Sequence, residues 1–244
     1  MKWNASFKPV IAFIALMFIC HELHELIHTS IAYWQCGCWG ERDFNVWTVC
    51  KACPSTVNTV WATLAGPLLT YALIWSGWWL MSPHHSIARR SVGFALVWAN
   101  VPFARLITVL MKGGDEGVIA RAIVGQPKLS SLAWSVELIV ILMLILPAFI
   151  RSWKLLLPNR RLYVFISFLI IPMLLEYILM HKLGGSLLKQ GVLDQQVILG
   201  SPLLVLVWNI VWMSVMLLTA SSLTLILKEE KMVKSSVKPL PVKI

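Results

Sequence analysis

The stretch Pro9-Val10-Ile11-Ala12-Phe13-Ile14-Ala15-Leu16-Met17-Phe18-Ile19-Cys20-His21-Glu22-Leu23-His24-Glu25-Leu26-Ile27-His28 runs on, mostly apolar, to Trp34. About twenty such residues cross a bilayer as a helix, yet this run ends in three imidazoles and two carboxylates. Ionisable groups are expensive in hydrocarbon, and a span that keeps them marks a functional site. His24, Glu25 and His28 form H-E-x-x-H. On a helix, residues four apart share a face about 6 Å apart, so both imidazoles can reach one metal ion with the glutamate beside it. His21 lies on the same face; it fits a partner of the ligands better than a third ligand or a helix-packing histidine, and all three remain open. Glu22 would pair with His21 or line a water path.

Outward from this stretch, the chain is 58% hydrophobic and 13% charged over 244 residues. Soluble chains average about 45–50% and about 25%. The expectation is an all-α, polytopic membrane protein with about six transmembrane helices, at residues 9–34, 57–81, 91–111, 130–150, 162–182 and 203–227. Residues 1–227 form one transmembrane domain with a Cys-rich loop at 35–56. Residues 228–244 form a Lys-rich tail, expected to be disordered. The net charge of +10 does not point to nucleic acid, because the basic residues flank apolar runs instead of forming a stripe with interleaved aromatics. The lipid bilayer is the expected surrounding, in a cell or cytoplasmic membrane. No small-x-small cleavage pattern follows the first apolar run, so it reads as a retained helix.

With both termini on the cytoplasmic side, thirteen basic residues fall inside and seven outside, which favours that orientation. Parity then places the end of the first span and the end of the third on one side. His24 and His28 lie near the first end, and Gly113-Gly114-Asp115-Glu116 follows the second. Two histidines and one carboxylate converge at one depth, as a three-ligand zinc site with an open fourth position requires. Pro102 should kink the third span. Arg105, Glu137 and Glu176 are intramembrane or interfacial charges without an assigned role. Cys36, Cys38, Cys50 and Cys53 staple the first loop, as two disulfides or as a four-thiolate zinc site, and so form a cap above the histidines.

These features resemble the site-2 protease family of intramembrane zinc metalloproteases. The likeness rests on His24-Glu25-Leu26-Ile27-His28 in a membrane helix, Ala65-Gly66-Pro67 opening the next span, and a third span with Asn100 and Pro102 that ends near an Asp beside two glycines. It covers residues 10–120. It implies Zn2+ held by His24, His28 and Asp115, with Glu25 as catalytic acid and base. The implied activity is a zinc metalloendopeptidase acting on a transmembrane or membrane-proximal polypeptide substrate, with Asn100 available to hydrogen-bond an unwound substrate strand. The family pattern N-x-x-P-x-P-x-L-D-G sets its Asp closer to its Asn than the fifteen residues between Asn100 and Asp115, so Glu116 stays a rival ligand. The family holds its zinc nearer the cytosolic face, opposite to the charge count, and orientation stays open.

Two alternatives belong beside this one. A membrane di-iron hydroxylase or desaturase would need His84, His85 and His181 to join His21, His24 and His28. A catalytically inactive protease relative that binds membrane proteins would have no use for Glu25.

Overall fold

The computed structural model describes residues 1–125, 128 and 130–228. Beyond Lys228 the expected tail lies outside the described residues. Six helices are long and apolar enough to cross a membrane: Phe7–Cys36, Val60–Leu80, Ile87–Leu110, Ser131–Leu155, Arg161–Lys189 and Leu203–Leu225. The chain is all-α and polytopic, and each expected span falls on one of these.

The first helix, α1 (Phe7–Cys36), ends where Gly37 adopts a left-handed conformation and its N–H returns to the Tyr33 carbonyl at 2.7 Å. Next come α2 (Val60–Leu80) and α3 (Ile87–Ala99). The third span is broken rather than kinked. Pro102 disfavours an α conformation in the residue before it, and Val101 takes a left-handed φ of 43°. The helix therefore restarts as α4 (Pro102–Leu110), with Pro102 in its first turn. A glycine turn leads to the short α5 (Gly114–Val124). The remaining spans are α6 (Ser131–Leu155), α7 (Arg161–Glu176) with its wider continuation Tyr177–Gly184 and α8 (Gly185–Lys189), and α9 (Leu203–Thr219).

About half of each of the first three spans is buried, against less than a fifth of each of the last three. The protein core is thus α1 to α4, and the later spans present apolar surface outward as lipid-facing helices do. Helices α2 and α3 touch backbone to backbone. A Cβ on Gly77 would stand 2.7 Å from the Gly93 carbonyl oxygen, and small residues are what permit such an approach. Below the histidines the core is aromatic: Phe13, Phe94, Trp98 and Phe168 are buried, and Trp98 stacks on Phe149 at 5.1 Å. Strand Lys2–Trp3 pairs antiparallel with Leu227–Lys228. This brings the two described ends of the chain to one side, as an even number of crossings demands.

The first loop is folded down over α1. Disulfides join Cys36 to Cys53 and Cys38 to Cys50, so the pattern closes as nested covalent links. Arg42 is buried; its guanidinium pairs with Glu22 and donates to the Ser201 hydroxyl at 2.5 Å. Phe44 packs where Gly184 has no side chain. Glu22 is therefore an anchor for the loop and does not pair with His21, one of the two roles expected for it.

Candidate metal centre

Helical spacing puts His24, Glu25 and His28 on the buried side of α1, all at most 6% exposed. Against them lies Gly66 of α2, where any Cβ would overlap both imidazole rings. The glycine is what allows α2 to close on the histidines. Its neighbours on α2 then orient the rings. His28 Nδ1–H donates to the Ala62 carbonyl at 2.6 Å, and His24 Nδ1 meets the Thr70 hydroxyl at 2.9 Å. With Nδ1 engaged on both rings, both Nε2 atoms turn towards Asp115, the orientation that outer partners of metal-bound histidines commonly impose.

Asp115 arrives from α5 and not from the third span itself. Lys112 and Gly114 take left-handed backbone conformations, at φ 57° and 76°. They turn the chain so that Asp115 and Glu116 occupy the first turn of α5, where the helix dipole favours acids. The two acids then diverge. Asp115 Oδ2 lies 3.1 Å from His24 Nε2 and 3.4 Å from His28 Nε2. Glu116 turns to α2, accepting from the Tyr71 hydroxyl at 2.9 Å. Asp115, and not its rival Glu116, shares the histidines' space.

The three donor atoms fit a divalent cation. Ligands bound tetrahedrally at the usual 2.0–2.1 Å sit about 3.3 Å from one another. Here the edges are 3.1 Å between the two Nε2 atoms, then 3.1 and 3.4 Å to Asp115. Among the described residues this is the one group of three such side chains placed to hold a metal. Charge agrees with geometry. Three carboxyl groups, of Glu25, Asp115 and Glu116, stand around one guanidinium, that of Arg105, an excess of acid over base that suits a divalent cation. Burial works to raise the Asp115 carboxyl, but hydrogen bonds from His24 and His28 and the Arg105 charge outweigh it and hold the group well below the usual carboxylate range.

A polar cavity of about 300 Å³ opens beside the triad, lined by Glu25, Asn100, Arg105, Asp115, His181 and Trp47 among others. Glu25 Oε2 is buried and has no hydrogen-bond partner among the described residues, which leaves it for a ligand in the cavity. Arg105 stands 3.3 Å from Asp115 and 3.0 Å from both ring nitrogens of His24. Asn100 lines the cavity while its amide nitrogen donates to the Leu96 carbonyl at 2.7 Å. The disulfide-linked loop roofs the site, with the Trp47 indole stacked on His28 at 5.3 Å.

His21 is not in the triad. One ring nitrogen meets Glu176 and the other the Phe44 carbonyl, at 2.7 Å. His21 therefore ties α1 to the fifth span and to the loop. His84 and His85 lie beyond the far end of α2, whose last residue, Leu80, is fourteen residues, or about 21 Å along the helix, from Gly66. They cannot join the other histidines as a di-iron centre needs.

Thr70, Trp47 and the role of Arg105 were missed from the sequence. Thr70 carried a faint signal, since it stands four residues after Gly66 on one face of α2. Trp47 carried none.

No protein-family model, curated protein or solved structure matches this chain. The site rests on its own geometry.

Proposed function

We propose that the protein is an intramembrane zinc metalloendopeptidase, cleaving transmembrane or membrane-proximal polypeptides. The observation that carries this is the triangle of His24, His28 and Asp115 donors with the unpartnered Glu25 carboxylate beside it.

A Zn2+ ion held by these three residues would supply Lewis acidity and bring the pKa of bound water towards about 7. Glu25 accepts the proton of the attacking water and returns it to the leaving amine nitrogen. Arg105 faces the same cavity and balances negative charge as it develops on the carbonyl oxygen of the scissile bond. Trp47 and the loop above it limit water to what the polar cavity admits. A substrate helix keeps its carbonyls in internal hydrogen bonds, so cleavage favours segments that Gly or Pro allow to unwind.

The loop supports one orientation. Disulfides persist on the oxidising side of a membrane, and the two links favour that side for the loop and the metal centre beneath it. This agrees with the excess of basic residues on the opposite side and gives the site the opposite facing to the one the family resemblance implies.

The test is metal analysis of the purified protein together with cleavage of a model transmembrane substrate, parent against Glu25→Gln. The variant should retain about one zinc and lose about 10³-fold or more in rate. A Glu25→Gln variant that cleaves like the parent, or a parent without bound metal, refutes the proposal.

A further inference from the structure

Helices α2, α5 and α6 enclose an apolar groove of about 610 Å³, separate from the polar cavity. Its wall on α6 is a ridge of side chains four residues apart, Leu132, Val136, Val140 and Leu144, extending about 18 Å at 1.5 Å per residue. Leu132, Val136 and Val140 are exposed, at 77%, 53% and 47%. Beside that ridge, on the floor, lies Glu137. It is 8% exposed, and neither carboxylate oxygen has a hydrogen-bond partner among the described residues. Arg121 of α5 directs its guanidinium to the Lys112 carbonyl at 3.2 Å instead. Glu116 also lines the groove, and its Oε2 lies 3.8 Å from Arg105, which lines the polar cavity. The Glu116–Arg105 contact is thus the partition between groove and metal centre.

A buried carboxylate six residues into a span, with the Arg121 charge nearby but no hydrogen-bond partner among the described residues, is costly and calls for one. An acyl chain in this groove would satisfy neither oxygen of Glu137. A helix would do both tasks, because an i±4 ridge is the surface into which a second helix packs, and a basic side chain on it would reach the carboxylate. We propose that this groove docks the transmembrane helix of a polypeptide substrate, and that a Lys or Arg within that helix pairs with Glu137. The docking surface is independent of catalysis, whereas naming its occupant a substrate rests on the protease reading above.

The probe is a synthetic Leu/Ala transmembrane peptide of about 22 residues with one mid-span Lys, compared with the same peptide carrying norleucine. Binding is read by energy transfer in nanodiscs, on protein carrying Glu25→Gln so that nothing is cleaved. The Lys peptide should bind about tenfold more tightly than the norleucine peptide, and Glu137→Gln added to the same protein should abolish that preference. Val136→Trp, which fills the groove from its wall, should weaken both peptides while helicity and elution volume stay unchanged. Equal binding of the two peptides, as expected if lipid tails fill the groove, overturns the proposal. So does a preference that survives Glu137→Gln, or a second copy of the protein that occupies the groove and excludes the peptide. Docking of a Lys peptide that also carries a Gly-Pro pair, without its cleavage by the zinc-loaded parent protein, leaves the groove standing and sinks the protease reading alone; cleavage without any Lys preference does the reverse.

Discussion

Gly66 is the residue whose replacement tests the metal centre most directly, because it touches no ion and carries no chemistry. A Cβ at this position would overlap His28 Nε2, the ligand atom itself, and would stand 2.5 Å from His28 Cε1 and 2.6 Å from His24 Cε1, where ordinary contact begins at 3.4 Å. In Gly66→Ala the His24 ring must therefore retreat by about 0.8 Å and the His28 ring by more, several times the ±0.2 Å that ligand distances tolerate. Either the imidazoles leave the triangle or α2 moves off α1, and overpacking of this kind costs about 1–3 kcal/mol. One kcal/mol is a factor of about five and three are a factor of about 150 in affinity, so zinc binding should weaken by roughly that range. The assay is competition with a chromophoric chelator at buffered free zinc, with helicity followed in parallel. Gly77→Ala is the control. Its Cβ would stand 2.7 Å from the Gly93 carbonyl oxygen, so it disturbs α2–α3 packing far from the site. That variant should lose thermal stability yet bind zinc normally per folded molecule. A Gly66→Ala protein with parental zinc affinity and intact helicity would refute the claim that α2 closes on the histidines here.

Three further outcomes are expected. Asp115→Ala should lower zinc affinity by about 100-fold or more, while Glu116→Gln, whose carboxylate faces Tyr71, should change it by less than about threefold; the same competition assay reads both. Arg105→Met should retain zinc and lower kcat about 10²-fold with little change in KM, as removal of one electrostatic stabiliser does; an unchanged kcat would remove Arg105 from the chemistry. In the metal-free protein the Asp115 carboxyl is held below its usual range, so its stabilising contribution is complete above the unfolded value of about 3.9 and is lost as pH falls further. Asp115→Asn should therefore melt at a lower temperature than the parent at pH 6, with the gap narrowing below about pH 4. A gap that stays constant down to pH 3 would contradict this.

What the sequence alone determined follows from short-range regularities. Helix periodicity placed His24 and His28 one turn apart with Glu25 beside them, and apolar run length set six spans, because both depend only on neighbours along the chain. Spacing also marked Cys36, Cys38, Cys50 and Cys53 as a stapled loop, yet a four-cysteine pattern cannot choose its own pairing. The tertiary structure decided what depends on distances between elements. Asp115 and Glu116 are adjacent in sequence and equal in chemistry; the left-handed turn at Lys112 and Gly114 and the start of α5 send one to the imidazoles and the other to Tyr71. Glu176 lies 155 residues from His21, Arg42 lies 20 from Glu22, and His24 lies 81 from Arg105. No local pattern records such contacts, since the packing of α2 against α1 through Gly66, and of the folded-down loop over both, is what brings them within reach.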